Sequence, residues 1–289
     1  RKLVLKTEDS GYDPKRAVLA AQKLIDQEKI FAMVGHLGTA PNIATFTVLF
    51  KKNVFSFFPL SAGRQMYEPL NRLTYAFIAP YYGQMRAATP RLAKEKGAKK
   101  VCAIYQDDDF GLEVLKGSED GLKAAGMEMA EKVSYKRGAT DFSSQVAKTK
   151  AAGCDLVVLG TIIRETIGAM GEARKSGFNP TFLASAAAYI NAVPKLGGAA
   201  VDGLYIAMTI GVPYTDSPEQ PVRFWANKYK TRFDKEPDTF SATGYVIMDA
   251  FIKVAQKAGP NLNTDSFVRA MESTTFPPDI FGGPGTSFS

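Results

Sequence analysis

The chain has 289 residues, 45% apolar and 22% charged, with 25 Gly and 16 Pro, which excludes a disordered, collagen-like or coiled-coil protein and suggests two domains. Its net charge of +7 raises nucleic acid as a partner, but the lysines are interleaved with acids, as in Lys94-Glu95-Lys96, the pattern of a solvated helix face. No apolar run approaches the about 20 residues of a membrane-spanning helix, and the opening Arg1-Lys2-Leu3-Val4-Leu5-Lys6 regains charge too soon for a signal peptide; the chain is expected either to be cytosolic or to have lost a targeting segment.

Short apolar runs alternate with longer amphipathic ones. Leu3-Val4-Leu5 reads as a strand. Asp13-Pro14 then opens a helix with an N-cap carboxylate and an N1 proline, and Ala17, Ala20, Ala21, Leu24 and Ile25 mark its buried face. Strands are predicted at Phe31–Gly35, Val54–Pro59 and Tyr75–Ala79, with a helix over Pro41–Phe50. A second series follows: helix Gln84–Glu95, strand Val101–Tyr105, helix Gly111–Ala124, strand Met127–Tyr135, helix Phe142–Ala151, strand Leu156–Leu159, helix Thr166–Lys175, and strands Thr181–Leu183 and Gly203–Met208. Helices Pro221–Phe233 and Ser241–Ala258 come last. Repeated strand-helix-strand units predict an α/β fold of two doubly wound parallel-sheet lobes. Lobe 1 is expected to span residues 1–79 plus 212–289, and lobe 2 residues 80–211.

Two cysteines exclude a disulfide scaffold. Cys102 and Cys154 read as small buried hydrophobes, with a bond between them open only if their strands are neighbours. A single histidine, His36, speaks against a zinc site and removes the commonest general base. Asp107-Asp108-Asp109 lacks the spacing of a calcium loop, so no metal is expected. There is no Gly-x-Ser-x-Gly elbow, Walker loop or Gly-x-Gly-x-x-Gly fingerprint, and no cofactor is expected.

In open α/β sheets ligands sit beyond the carboxyl ends of strands. The first such loop, Gly35-His36-Leu37-Gly38-Thr39-Ala40-Pro41-Asn42, combines turn-forming glycines, a hydroxyl and a helix N-terminus, the parts of a carboxylate site. The local pattern alone favours a plainer role, with Thr39 capping its own helix. Ser61 and the backbone of Pro59-Leu60-Ser61-Ala62-Gly63 offer further donors at the next strand end. Arg64 and Arg164 lie near loop ends, where solvent exposure is the simpler expectation.

Taken in order, Asp13-Pro14-Lys15-Arg16-Ala17, Val34-Gly35-His36-Leu37-Gly38-Thr39, Phe58-Pro59-Leu60-Ser61-Ala62, Ala103 to Gly111, Gly138 to Ser143, Gly203-Leu204-Tyr205 and Phe240 to Ala250 resemble the periplasmic branched-chain amino-acid-binding proteins over essentially the whole chain. The resemblance implies a type I periplasmic-binding-protein fold, with a ligand enclosed between two lobes joined by a multi-crossover hinge. It implies a non-catalytic, monomeric, periplasmic solute-binding protein with the membrane permease subunits of an ABC importer as partners and no nucleic acid. By the same analogy the chain begins at the family's second strand and stops before its last strand and tail.

Carried over by position, the carboxylate-holding hydroxyl is Thr39, followed by Leu60, Ser61 and Ala62. The aromatic of the second-lobe loop is Phe110, and the next contact falls at Ile162. The acid that pairs with a ligand ammonium aligns with Ala186. An unpaired buried ammonium costs several kcal/mol, so the resemblance implies a small aromatic or short aliphatic carboxylate rather than a free amino acid, walled by Phe110, Ile162, Ala186, Phe240, Tyr82 and Tyr189, with Tyr81 alongside. The family's disulfide positions fall at Tyr12 and Gly38. Two other readings stay open on the sequence: a ligand-sensing regulator of the same fold, and an α/β enzyme whose active site these patterns miss.

Overall fold

The computed structural model describes residues 2–288. The chain forms two units, Arg1–Ile78 with Pro213–Ser289 (unit 1) and Ala79–Val212 (unit 2).

In unit 1, α1 (Pro14–Asp26) starts where the sequence places it: Asp13 accepts a hydrogen bond from the Arg16 amide at 2.9 Å, and Ala17, Ala21, Leu24 and Ile25 are buried. β1 (Ala32–Val34), α2 (Thr39–Lys51), β2 (Phe55–Phe57) and β3 (Thr74–Tyr75) follow, and the three strands pair in parallel in the order β1-β2-β3.

Unit 2 contains α3 (Tyr81–Lys96), β4 (Val101–Gln106), α4 (Asp109–Ala124), β5 (Met129–Tyr135), α5 (Ser143–Ala151), β6 (Leu156–Gly160), α6 (Ile163–Lys175), β7 (Thr181–Ala184), α7 (Ala192–Gly197) and β8 (Leu204–Ile206). Its sheet is parallel throughout, in the order β5-β4-β6-β7-β8. The unbroken apolar runs of β4 and β6 are what a central strand covered on both faces requires. The chain returns to unit 1 for α8 (Gln220–Phe233), α9 (Thr239–Ala258), α10 (Thr264–Glu272) and a short antiparallel pair, β9 (Thr275–Phe276) with β10 (Thr286–Ser287).

Each unit has its own core. In unit 1, Phe55 and Phe57 of β2 pack against Phe251 of α9 and Phe267 of α10, with ring centroids 4.9 Å apart for Phe55–Phe267 and 5.3 Å for Phe57–Phe251. In unit 2, Val157 and Leu159 of β6 and Phe182 of β7 meet Ala169, Met170 and Ala173 of α6. No helix among the described residues is long and apolar enough to cross a membrane.

Three expectations change. Leu3-Val4-Leu5 forms no strand; the three side chains are 54–74% exposed, because apolar character alone does not make a strand without a neighbour to complete its ladder. α10 escapes the sequence reading, although Phe267, Ala270 and Met271 give it an i, i+3, i+4 face and Asn263 and Ser266 close a reciprocal capping box. Cys102 and Cys154 are not free: they form a disulfide with a Cα–Cα distance of 5.9 Å. The reason is topological. β4 and β6 are direct neighbours, with Cys102 opposite Val157, so the turn before β6 delivers Cys154 to the start of β4.

Candidate functional site

The hydroxyls of Thr39 and Ser61, 22 residues apart in sequence, lie 2.8 Å from each other. The sheet register brings them together. β1 and β2 pair Val34 with Phe57, and the register continues unchanged past both strand ends to a bridge between Leu37 and Leu60. The Gly38 amide donates to the Leu60 carbonyl at 3.0 Å and the Leu60 amide to the His36 carbonyl at 2.9 Å. Two loops are thereby zipped side by side, and Leu60 serves as the zipper.

Gly38 caps α2 at φ 98°, a conformation that favours glycine. The plainer role for Thr39 is therefore not the one it takes: α2 has no side-chain cap, and the Thr39 hydroxyl turns to Ser61 instead. A Cβ on Gly38 would meet the Tyr12 ring at 2.5 Å. The two positions that resemble a disulfide pair are thus neighbours, with the aromatic ring occupying the space.

The pair is buried, each residue about 1% exposed, and the Gly63 amide donates to Ser61 Oγ at 3.2 Å. Two hydroxyls carry two hydrogens, and their mutual bond uses one. The other is available to an outside acceptor. Beside it, Asn42 donates to the carbonyls of His36 and Gly38, both at 2.7 Å, fastening the loop to α2. Burial pushes the His36 imidazole below its ordinary pKa, which Asn42 opposes only in part. Ala62 is buried in the same loop, whereas Phe240, in the first turn of α9, is 42% exposed.

In unit 2, Phe110 is buried in the first turn of α4, edge-on to Tyr81 at 5.0 Å. Asp108 caps that helix through the Phe110 and Gly111 amides and also receives Gln106 and Arg137, so its carboxylate serves the loop. Ile162 is the N-cap of α6, and Ala186 opens a 3-10 turn over Ala186–Ala188 that ends at Tyr189. β6 and β7 pair up to Leu159 with Ala184, so both loops leave the sheet at the same edge. The Ala186 amide donates to Gln84 Oε1 at 2.9 Å, and Gln84 Nε2 donates to the Ala79 carbonyl at 2.6 Å. The Tyr82 hydroxyl donates to Asp120 at 2.9 Å across the α3–α4 contact. Arg164 is solvent-facing, as expected.

Among the buried polar groups that had no place in the sequence reading are Glu165 and Ser185. Glu165 is 1% and Ser185 0% exposed, and Glu165 Oε2 and Ser185 Oγ have no hydrogen-bond partner. The available signal for Glu165 is its spacing from Ala169 and Ala173, which continues the buried row of α6 to its first turn.

The sequence profile of the periplasmic binding proteins matches residues 1–289. The chain belongs to that family. A Leu/Ile/Val-binding protein homologue from Brucella abortus is 25% identical over 274 residues, which make up 88% of this chain and 67% of the relative. A fatty acid ABC transporter substrate-binding protein from Thermomonospora curvata superimposes with a TM-score of 0.86 at 23% identity, over 97% of this chain and 72% of that one. An ABC transporter solute-binding protein from Rhodopseudomonas palustris, solved in complex with benzoate, gives 0.82 at 16% identity, over 98% and 77%. The fold is therefore that of the type I periplasmic binding proteins, and within the family the relatives are of the branched-chain amino-acid-binding type.

Proposed function

We propose that this periplasmic binding protein captures a small carboxylate, aromatic or short aliphatic, and presents it to the membrane permease of an ABC importer without chemical change. The observation that carries the reading is the buried Thr39–Ser61 hydroxyl pair with its one uncommitted hydrogen, set at the N-terminus of α2, where the helix dipole favours an anion. Leu60 and Ala62 flank it in unit 1. Phe240 belongs to the same unit, and within unit 2 the candidate contacts are Tyr82, Phe110, Ile162, Ala186 and Tyr189, by position in the resemblance.

The relatives support the shared part of this chemistry. Leucine, a fatty acid and benzoate each carry a carboxylate, and only leucine adds an ammonium. Ala186 stands where the resemblance places the ammonium's acid, and its amide is occupied by Gln84. The Cys102–Cys154 disulfide supports a periplasmic site of action, since such bonds persist in oxidising compartments. Ligand binding would shift the population toward the form that the permease recognises.

Isothermal titration with benzoate, hexanoate, phenylalanine and leucine tests the reading. One or both simple acids are expected to bind more tightly than the amino acids. Thr39→Val is expected to weaken that binding roughly ten- to a hundred-fold, the effect of losing a hydrogen bond to a charged group. Leucine binding more tightly than either simple acid, or an unaffected Thr39→Val variant, overturns it.

A further inference from the structure

The sequence holds two Asp-Gly dipeptides, Asp120-Gly121 and Asp202-Gly203, and the fold treats them oppositely. In such a pair the glycine amide nitrogen can attack the side-chain carboxyl carbon of the aspartate, because no Cβ crowds the approach. Asp120 and Gly121 lie inside α4. The Asp120 carboxylate receives Lys116 at 2.8 Å and the Tyr82 hydroxyl at 2.9 Å, and a Cβ on Gly121 would stand 2.3 Å from the Arg86 carbonyl oxygen. Helix and neighbour leave that amide no room to turn.

Asp202 and Gly203 are both exposed, between a 3-10 turn over Gly198–Val201 and β8. Gly203 is at φ 78°, with nothing within 4 Å of where a Cβ would stand. Among the described residues no side chain holds the Asp202 carboxylate. Arg174, in the last turn of α6, sets this dipeptide apart further. Its guanidinium donates to the Asp202 carbonyl at 3.0 Å and to Asn179 Oδ1 at 2.7 Å, and lies 5.6 Å from the centre of the Phe182 ring of β7. A cation is thus fixed on the main-chain carbonyl of the reactive aspartate.

We propose that Asp202-Gly203 is a site of spontaneous isoaspartate formation, directed by Arg174. In the first step the Gly203 nitrogen bonds to the Asp202 side-chain carboxyl carbon, and a carboxyl oxygen leaves as water with the amide hydrogen. The product is a cyclic imide. In the second step water adds to one of the two imide carbonyls, and the ring C–N bond at that carbonyl breaks. Opening at the side-chain carbonyl restores aspartate. Opening at the main-chain carbonyl turns that group into a free carboxylate and routes the chain through the former side chain. One water is lost and one regained, nothing is oxidised or reduced, and the mass is unchanged. Arg174 favours the second outcome, because its N–H groups meet the oxygen on which negative charge develops and then pair with the carboxylate that results. The isomer lengthens the main chain by one methylene directly before Leu204, where the pairing of β8 with β7 begins opposite Phe182. Ageing at this peptide bond therefore loosens an edge strand of the unit 2 sheet.

The test is incubation of the folded protein for several weeks at neutral pH in water enriched in heavy oxygen. Tryptic digestion and electron-transfer fragmentation in the mass spectrometer then distinguish isoaspartate from aspartate, and passage through the imide marks either product with a heavy oxygen atom. Labelled isoaspartate is expected at position 202 in excess over labelled aspartate, with position 120 unlabelled. In urea, with the fold gone, both positions are expected to take up label. Asp202→Glu is expected to abolish labelling at its position, and Arg174→Met to lower the ratio of labelled isoaspartate to labelled aspartate at position 202 several-fold. Should Arg174→Met fold poorly, the urea-unfolded wild type supplies the comparison, and its ratio is expected to be the lower one. No label at position 202, or equal label at 202 and 120 in the folded protein, overturns the site. A ratio that is the same folded, unfolded and without Arg174 overturns the directing role of Arg174.

Discussion

A single hydroxyl hydrogen is the whole margin by which Thr39 and Ser61 differ from a closed internal pair. Thr39 opens α2 and Ser61 follows β2, each directly beyond the main-chain bonds among Gly38, Leu60 and His36, so the pair is held by main chain rather than by its own contact. His36 bears on this support. It is the only histidine in the chain, its Nδ1 is buried without a partner, and burial favours its neutral form. The unfolded chain therefore binds a proton more readily than the folded one, and stability rises with pH through the window between the lowered folded pKa and about 6.5. Above that window the contribution is complete; as pH falls through it, stability is lost. Thermal unfolding followed by circular dichroism is expected to show a melting temperature that drops between about pH 7 and pH 5.5, and drops less steeply in His36→Gln. Equal slopes for the two proteins would show that the imidazole is not held neutral by the fold.

Among elements, the α3–α4 contact is the most constrained. Gly117 and Gly121 lie one helical turn apart on α4, and a Cβ on either would come within 2.3 Å of a carbonyl oxygen of α3, those of Tyr82 and Arg86 respectively. Thr89 donates to Ser118 at 3.1 Å across the same contact. Backbone on both sides leaves nothing flexible to yield, so Gly117→Ala is expected to destabilise unit 2 by about 1–3 kcal/mol, seen as a lower urea midpoint. A midpoint unchanged from wild type would mean that the helices can separate without cost. The sequence discloses α4 by its apolar spacing but not this approach, which depends on residues of α3 that lie 35 positions earlier in the chain. The same divide runs through the rest of the molecule. Asp13-Pro14 announces α1, and the runs beginning at Val101 and Leu156 announce β4 and β6, because these signals are local. Thr39 and Ser61 were each legible as strand-end hydroxyls, whereas their 2.8 Å contact required the register between β1 and β2. Glu165 was passed over because a helix read from its first clear apolar face begins at Thr166, which leaves a charged residue looking like loop.

At the scale of the molecule, the disulfide distinguishes the two units. Unit 1 relies on its aromatic core; unit 2 adds a bond across 52 residues of sequence between two fully packed positions, Cys102 at 0% and Cys154 at 4% exposure. Closing a loop of that length restricts the unfolded chain by about 4 kcal/mol in the chain-entropy account, and none of that restriction falls on unit 1. Replacing both cysteines with alanine is therefore expected to lower stability unevenly. Hydrogen exchange read by mass spectrometry should report a loss of roughly 2–4 kcal/mol for the slowest amides of β4 and β6, with those of α9 unchanged, since separate cores open as separate cooperative units. An equal loss in β4 and α9 would show that the units unfold as one body, and no loss in β4 would show that the bond does not constrain the unfolded chain. The uneven result would also make unit 2 a scaffold stabilised independently of unit 1, so that destabilising substitutions in one need not weaken the other.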